Sequence, residues 1–283
     1  MARIKEVPFV KGHGTGNDFI VIPDLDGKLE ITPEQVIRVC DRHRGLGADG
    51  VLRVVRTEHM KGMSDQAGVA EFFMDYRNAD GTVAEMCGNG ARVFARYLDA
   101  VGLVTKDEFV IATRGGLRQI TLHSDHQVSV HMGAATTPRV KSIPMVTVGS
   151  RTWPSVGVLV PNPHAVTFVD SLDDGGDLID APDVSPREVF PEGVNVEFVV
   201  DVGPRHVAMR VHERGVGETM SCGTGACAVA WASRRRSEPD LIGVSVWQVD
   251  VPGGSVQVGE SAQGMLTLTG PADLVARGTV LLE

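Results

Sequence analysis

The sequence predicts an α+β protein of two pseudo-symmetric lobes, each a mainly antiparallel sheet wrapped around one central helix. Three observations carry this. Short runs rich in Val, Ile and Phe, broken by Gly, Pro, Asn and Asp, recur about every 8–12 residues. Few helical patterns interrupt them. Two of the helices open on the same Cys-Gly-x-Gly stretch, with Cys87 and Cys222 nearly half of the 283-residue chain apart.

In chain order, "DFIVIPD" reads as the first of these strands. Thr32-Pro33-Glu34-Gln35 then signals a helix: a capping Thr, Pro at the first helical position and Gln three residues on. Val36, Ile37 and Cys40 are expected on its buried face. "GVLRVVRT" is the next strand. A second helix starts near Asn89, where Val93, Phe94, Tyr97 and Leu98 recur at amphipathic spacing. "EFVIATR", "LRQITLH" and "QVSVHMG" follow as strands, then "SVGVLV", "AVTFVD", "VNVEFVVDV" and "HVAMRVHE". A third helix starts near Thr224. Its "GACAVAWA" is small and apolar nearly all round, so it should be buried. "VSVWQVD" and "MLTLTG" complete the series.

The second and third helices thus correspond, and Asn17 in "HGTGNDF" has a counterpart in Asn162 of "VPNPHAV" at a similar offset. A duplicated unit accounts for both. The candidate site would then lie in a cleft to which each unit brings one cysteine.

A thiol at a helix N-terminus is acidified by the helix dipole and by backbone N–H groups. The Gly after each cysteine opens those N–H groups to an anion. A carboxylate held there would set its α-carbon beside the sulfur. One such unit supplies a base on one face of a carbon; two supply a base and an acid on opposite faces. That is what inverting a stereocentre requires. Cys40 and Cys227 are read as packing, the usual fate of a free cysteine. Cys227 lies five residues after Cys222, about 140° round the helix, so the two share no face.

Composition excludes other classes. The formal net charge is −9, which disfavours nucleic acid and anionic membranes as partners. The Arg234-Arg235-Arg236 cluster reads as a solvated last turn that complements the helix dipole. No apolar run approaches the ~18 residues of a membrane span, and "MARIKEVPFV" has no signal-peptide core. Four cysteines in a chain this long make no disulfide framework. These features together suggest a cytoplasmic protein with free thiols. No C-x-x-C pair or Cys/His cluster supports a metal site. "GLGADG" and "GHGTGNDF" lack the strand-to-helix setting of a dinucleotide loop, and neither has a P-loop Lys.

Taken together, "KGHGTGNDF", "DRHRGLGADG", "YRNADG", "EMCGNGARVFARYL", "PNPHAV", "GVNVEF" and "HERGVGETMSCGTGACA" resemble the diaminopimelate epimerases, in order from Lys11 to Ala228. The resemblance implies barrel-like lobes, with the last strands returning to the first. On that basis residues 1–131 plus 268–283 form the lobe carrying Cys87, and 132–267 the lobe carrying Cys222. It implies a cofactor-independent isomerase that interconverts LL- and meso-diaminopimelate on the route to lysine and peptidoglycan precursors, and a homodimer. Cys87 and Cys222 would be the acid/base pair, with His164 and Glu213 assisting at the reacting centre. Glu213 would also touch substrate, together with Asn17, Asn78, Asn162, Asn195 and Arg214. The backbone at Gly88-Asn89 and Gly223-Thr224 would hold the carboxylate. The alternative is another two-cysteine racemase, of the proline or hydroxyproline type.

Three departures stand out. Pro161 occupies a position where the family commonly has Gly. Gly50 stands where many relatives carry a substrate-binding Gln. "DLVARG" replaces a stretch in which some relatives have an interface Tyr.

Overall fold

Alternating β-branched runs fold into strands along residues 5–282, the part of the chain that the computed structural model describes. The first four residues of "MARIKEVPFV", and residue 283 at the end of the predicted first lobe, lie outside it. The strands are β1 (Lys5–Gly14), β2 (Asn17–Pro23), β3 (Gly50–Arg56), β4 (Phe72–Asn78), β5 (Glu108–Ala112), β6 (Arg118–Leu122), β7 (Gln127–Ala134), β8 (Met145–Val148) and β9 (Arg151–Val160). They continue as β10 (Asn162–Phe168), β11 (Asp183–Ser185), β12 (Asn195–Gly203), β13 (His206–Glu213), β14 (Gly217–Glu218), β15 (Ser245–Val251), β16 (Gly254–Glu260), β17 (Met265–Pro271) and β18 (Asp273–Leu282). The helices are α1 (Pro33–Cys40), α2 (Ser64–Ala67), α3 (Gly88–Ala100) and α4 (Gly223–Ser237).

The chain divides into two units, Met1–Val130 with Pro271–Glu283, and His131–Gly270. In the first, β1–β2 is antiparallel, β2–β3 parallel, β3–β4 antiparallel, β4–β5 parallel, and β5–β6–β7 antiparallel. The second repeats the series with β9–β10, β10–β12, β12–β13, β13–β15 and β15–β16–β17. β18 adds antiparallel to β1 in the first unit, as β8 adds to β9 in the second. Each unit thus holds two parallel pairs among its antiparallel ones. A parallel pair needs a crossover rather than a hairpin, and α1 and α3 lie in the crossovers of the first unit.

The central helices carry the cores. α3 packs on β1, β2 and β18, and α4 on β9, β10 and β15. Phe94 and Leu98 of α3 are fully buried, and α4 buries the run Gly225–Ala230. The latter follows from its side chains: a helix small and apolar all round can take strands on every side.

α1 is capped as its residues predict. Thr32 Oγ1 accepts from the Gln35 N–H at 3.3 Å, and Gln35 Oε1 accepts from the Thr32 N–H at 3.0 Å. Thr32→Ala is expected to lower stability by about 1 kcal/mol. The measurement is a urea midpoint that falls while the slope holds.

Two expectations need correction. Ile37 is not on the buried face; Val36, Val39 and Cys40 are, at the i, i+3, i+4 spacing of one stripe, and Ile37 is exposed. The arginines that end α4 are not simply solvated. Arg234 and Arg235 both bind Glu260, Arg235 lies over the Trp231 ring, and Arg236 pairs with Asp201 over Phe168. Their stems also cover apolar surface, which a charge count does not reveal.

Candidate functional site

In the first unit the N-termini of β2 and β3 and the C-terminus of β4 lie side by side, since Phe19 pairs with Gly50 and Gly50 with Asn78. Asn17 opens β2. Its Nδ2 donates to Asp49 Oδ2 at 2.7 Å, and its Oδ1 accepts from Asn89 Nδ2 at 3.3 Å. Cys87 caps α3, with Sγ accepting from the Gly90 N–H at 3.4 Å and lying 3.7 Å from Asn17 Oδ1. Asn78 ends β4 and donates to Thr82 Oγ1 at 3.0 Å. Asn17 therefore contacts both Cys87 and Asn89, with Asn78 on the same sheet end.

The second unit repeats the arrangement, keeping the asparagine and the cysteine and changing the other two side chains. Asn162 opens β10, Asn195 opens β12, Glu213 ends β13 and Cys222 caps α4. Cys222 Sγ accepts from the Gly225 N–H at 3.4 Å, the same distance as in the first unit, and lies 3.5 Å from Thr224 Oγ1. His164 Nε2 contacts Asn162 Oδ1 at 3.1 Å, and Nδ1 contacts Glu197 Oε1 at 2.6 Å. Glu213 accepts from Thr219 Oγ1 at 2.5 Å. Asn195 Oδ1 accepts from the Arg214 backbone N–H at 2.8 Å, while the Arg214 guanidinium donates to the Glu192 carbonyl. The second-unit residues singled out from sequence thus gather at one sheet end around the α4 N-terminus.

The first turn of any α-helix presents amides to an anion. Here they belong to Gly88 and Asn89, and to Gly223 and Thr224. Glycine follows for a steric reason at the third helical position. A Cβ on Gly225 would meet Glu197 Oε1 at 2.9 Å, and one on Gly90 would meet Leu52 at 3.3 Å.

The expected acidity of both thiols fails at Cys222. Burial pushes that thiol well up, and the charges of Glu213 and Glu197 push it further. The Thr224 hydroxyl and the Gly225 N–H pull the other way and lose. Cys40, also buried, is pushed up to about 12 and is inert at neutral pH.

Four supporting residues escaped the sequence reading. Asp49 holds Asn17 and also binds Arg42. Arg92, fully buried, donates to Asn89 Oδ1 at 2.7 Å and to Thr15 Oγ1 at 3.1 Å. Thr219 holds Glu213, and Glu197 holds His164. One carried a signal: Glu197 interrupts the apolar run "VNVEFVV". A charge at a core position is the informative exception.

With this geometry in hand, comparison with known proteins gives a consistent result. A family model described as diaminopimelate epimerase matches residues 9–138 and 157–275. A diaminopimelate epimerase of Streptomyces coelicolor is 52% identical over 275 residues, covering 96% of this chain and 94% of the relative. Among solved structures, a PhzF-family phenazine biosynthesis protein of Bacillus anthracis has a TM-score of 0.69 at 18% identity, covering 98% of this chain and 99% of that one. A hydroxyproline epimerase of Agrobacterium vitis, with trans-4-hydroxy-L-proline bound, has a TM-score of 0.66 at 14% identity, covering 98% and 93%. At such identities the two structures establish the fold alone.

Proposed function

Because the chain belongs to the diaminopimelate epimerase family, we propose that it epimerises diaminopimelate at one α-carbon with the thiols of Cys87 and Cys222. The enzyme interconverts the LL and meso forms, a step toward lysine and peptidoglycan precursors. One observation supports the two-thiol reading above others: each unit places a cysteine sulfur as the cap of its central helix, next to first-turn amides.

In this reading the carboxylate at the reacting carbon is bound by the amides of Gly88-Asn89 and Gly223-Thr224. One sulfur removes the α-proton as thiolate; the other, as thiol, returns a proton from the opposite face. The charge that develops on the substrate spreads into the carboxylate, where preorganised N–H donors stabilise it. A single such donor is worth about 3–4 kcal/mol in other enzymes. His164 and Glu213 act at the reacting centre, where Glu213 accepts from the substrate amino group. Asn17, Asn78, Asn162, Asn195 and the Arg214 fork bind the distal amino acid, whose carboxylate suits a planar guanidinium. We extend the proposal to a cytoplasmic homodimer on the resemblance alone; no helix of the described residues is long and apolar enough to cross a membrane.

The test is isotope exchange. In D2O the enzyme is expected to exchange the α-proton of LL- and meso-diaminopimelate and to leave proline and hydroxyproline unlabelled, as read by mass spectrometry. Exchange into proline with none into diaminopimelate would sink the assignment in favour of the small-substrate racemases.

A further inference from the structure

The two helix N-termini rest on different ground. The third residues of β2 and β3 are Phe19 and Leu52, both fully buried. The third residues of β10 and β12, at the matching places of the repeat, are His164 and Glu197, and these are fully buried too. Phe19 pairs in register with Gly50, and His164 with Asn195. Where the first unit has a phenyl ring and an isobutyl group under its cysteine turn, the second has an imidazole and a carboxyl.

Glu197 reaches that turn directly. One point, the place of a Cβ on Gly225, lies 2.9 Å from Glu197 Oε1 and 3.3 Å from Cys222 Sγ. Oε1 is also bound to His164 Nδ1, while Oε2, buried, has no hydrogen-bond partner among the described residues. A carboxyl so placed is expensive to keep, and the first unit fills the equivalent position with leucine.

We propose that Glu197 is a positioning residue that also acts electrostatically. It anchors His164 through Nδ1 and, with Glu213, biases the Cys222 sulfur toward the protonated thiol. In the free enzyme Cys222 then rests as the proton donor for one direction of the epimerisation, and it serves as the base in the reverse direction. This rests on the reading of Cys222 as a proton-transfer group. The charged and titratable groups that the strands packed on α4 bring toward Cys222 are His164 from β10, Glu197 from β12 and Glu213 from β13. The other ion pairs on that packing are made elsewhere: Arg151 of β9 with Asp174, Asp201 of β12 with Arg236, Arg210 of β13 with Glu218, His206 of β13 with Asp250 of β15, and Glu260 of β16 with Arg234 and Arg235.

Burial is the main cause of the raised Cys222 thiol and the two carboxylates add to it. Glu197 is itself pushed up by burial, against the attraction of His164.

The experiment is site-resolved alkylation of the folded enzyme with iodoacetamide across pH, read by peptide mass spectrometry. It needs no substrate and no turnover, so its outcome is separable from that of the isotope-exchange assay. Glu197→Gln keeps volume and a hydrogen bond to His164 but cannot carry charge. The labelling midpoint of Cys222 is expected to fall by about one pH unit, a tenfold gain in thiolate below the midpoint, with that of Cys87 unmoved. Glu197→Asp, which keeps the charge, should leave Cys222 near its original midpoint. The proposal is overturned if E197Q leaves Cys222 unchanged, moves Cys87 equally or does not fold, or if Asp shifts Cys222 as far as Gln does.

Discussion

Cys87→Ser and Cys222→Ser are each expected to lower epimerisation by roughly a thousandfold in kcat/KM, about 4 kcal/mol of transition-state stabilisation. The loss is chemical. A hydroxyl is a far weaker acid than a thiol, so serine neither offers an anionic base nor gives up its proton near neutral pH. The fold should survive, because each sulfur is a helix cap that accepts from the amide three residues on, and serine is among the favoured capping residues. Far-UV circular dichroism and urea midpoints of the two variants should match the parent.

The two variants should also differ from each other in a way that only opposed bases produce. With one thiol gone, the other can still take the proton that faces it and return solvent deuterium to the same face. Each variant should then label one of the two epimers without inverting it, and the two variants should choose opposite epimers. If either substitution leaves turnover near the parent rate, the two-thiol mechanism is wrong.

Asp75→Asn is expected to remove about 3–5 kcal/mol of stability, the usual result of breaking a buried ion pair from one side. That is a large share of the roughly 5–15 kcal/mol of a typical domain. Asp75 on β4 is fully buried and binds Arg114 Nη2 at 2.6 Å and Arg53 Nε at 2.8 Å, with Arg77 at 3.8 Å. Arg53 in turn holds Asp24 and the Leu29 carbonyl, and Arg77 holds the Ile31 carbonyl. The carboxylate is thus the hub that ties β3, β4 and the 24–31 loop. An Asn there turns an amide N–H₂ toward guanidinium groups that are themselves mostly buried.

Burial alone would raise the Asp75 carboxyl, but the hydrogen bond from Arg114 and the charges of Arg114, Arg53 and Arg77 outweigh it and hold the group below the usual range. Its contribution is therefore complete above about pH 4, the unfolded value, and is lost as pH falls through the lower native value. Denaturant midpoints measured from about pH 7 down to about pH 2 should fall more steeply below about pH 4 for the parent than for Asp75→Asn. Parallel curves would mean that the cluster carries no pH-dependent stability.

Much of this architecture was legible because repetition is visible without coordinates. Two Cys-Gly-x-Gly stretches, and two asparagines opening equivalent strands, mark the helix and strand starts that the pairing series then repeats. β1, β4 and β18 were less legible. Pro8 breaks the first, and Asp75, fully buried, and Arg77, half-buried, sit inside the second as ions that resemble surface polarity. β18 is mostly exposed, so its sequence lacks an apolar alternation to follow. At the candidate site, the residues proposed to meet the substrate carry motifs. Those that hold them, Asp49, Arg92, Thr219 and Glu197, gain meaning only from contacts across the sheet. The same applies to the acidity of Cys222: the helix terminus is written locally, whereas Glu197 and Glu213 arrive from other strands.

The pairing of β18 with β1, from Lys5 opposite Leu282 to His13 opposite Asp273, bears on the order in which the molecule can be made. Residues 131–270 form an uninterrupted unit, so a ribosome releases all of it before the strand that completes the earlier one. The half translated first is the half finished last, and until β18 emerges one flank of β1 waits with its ladder groups open. Synthesis of this chain therefore closes its inserted unit while the enclosing unit still lacks a strand.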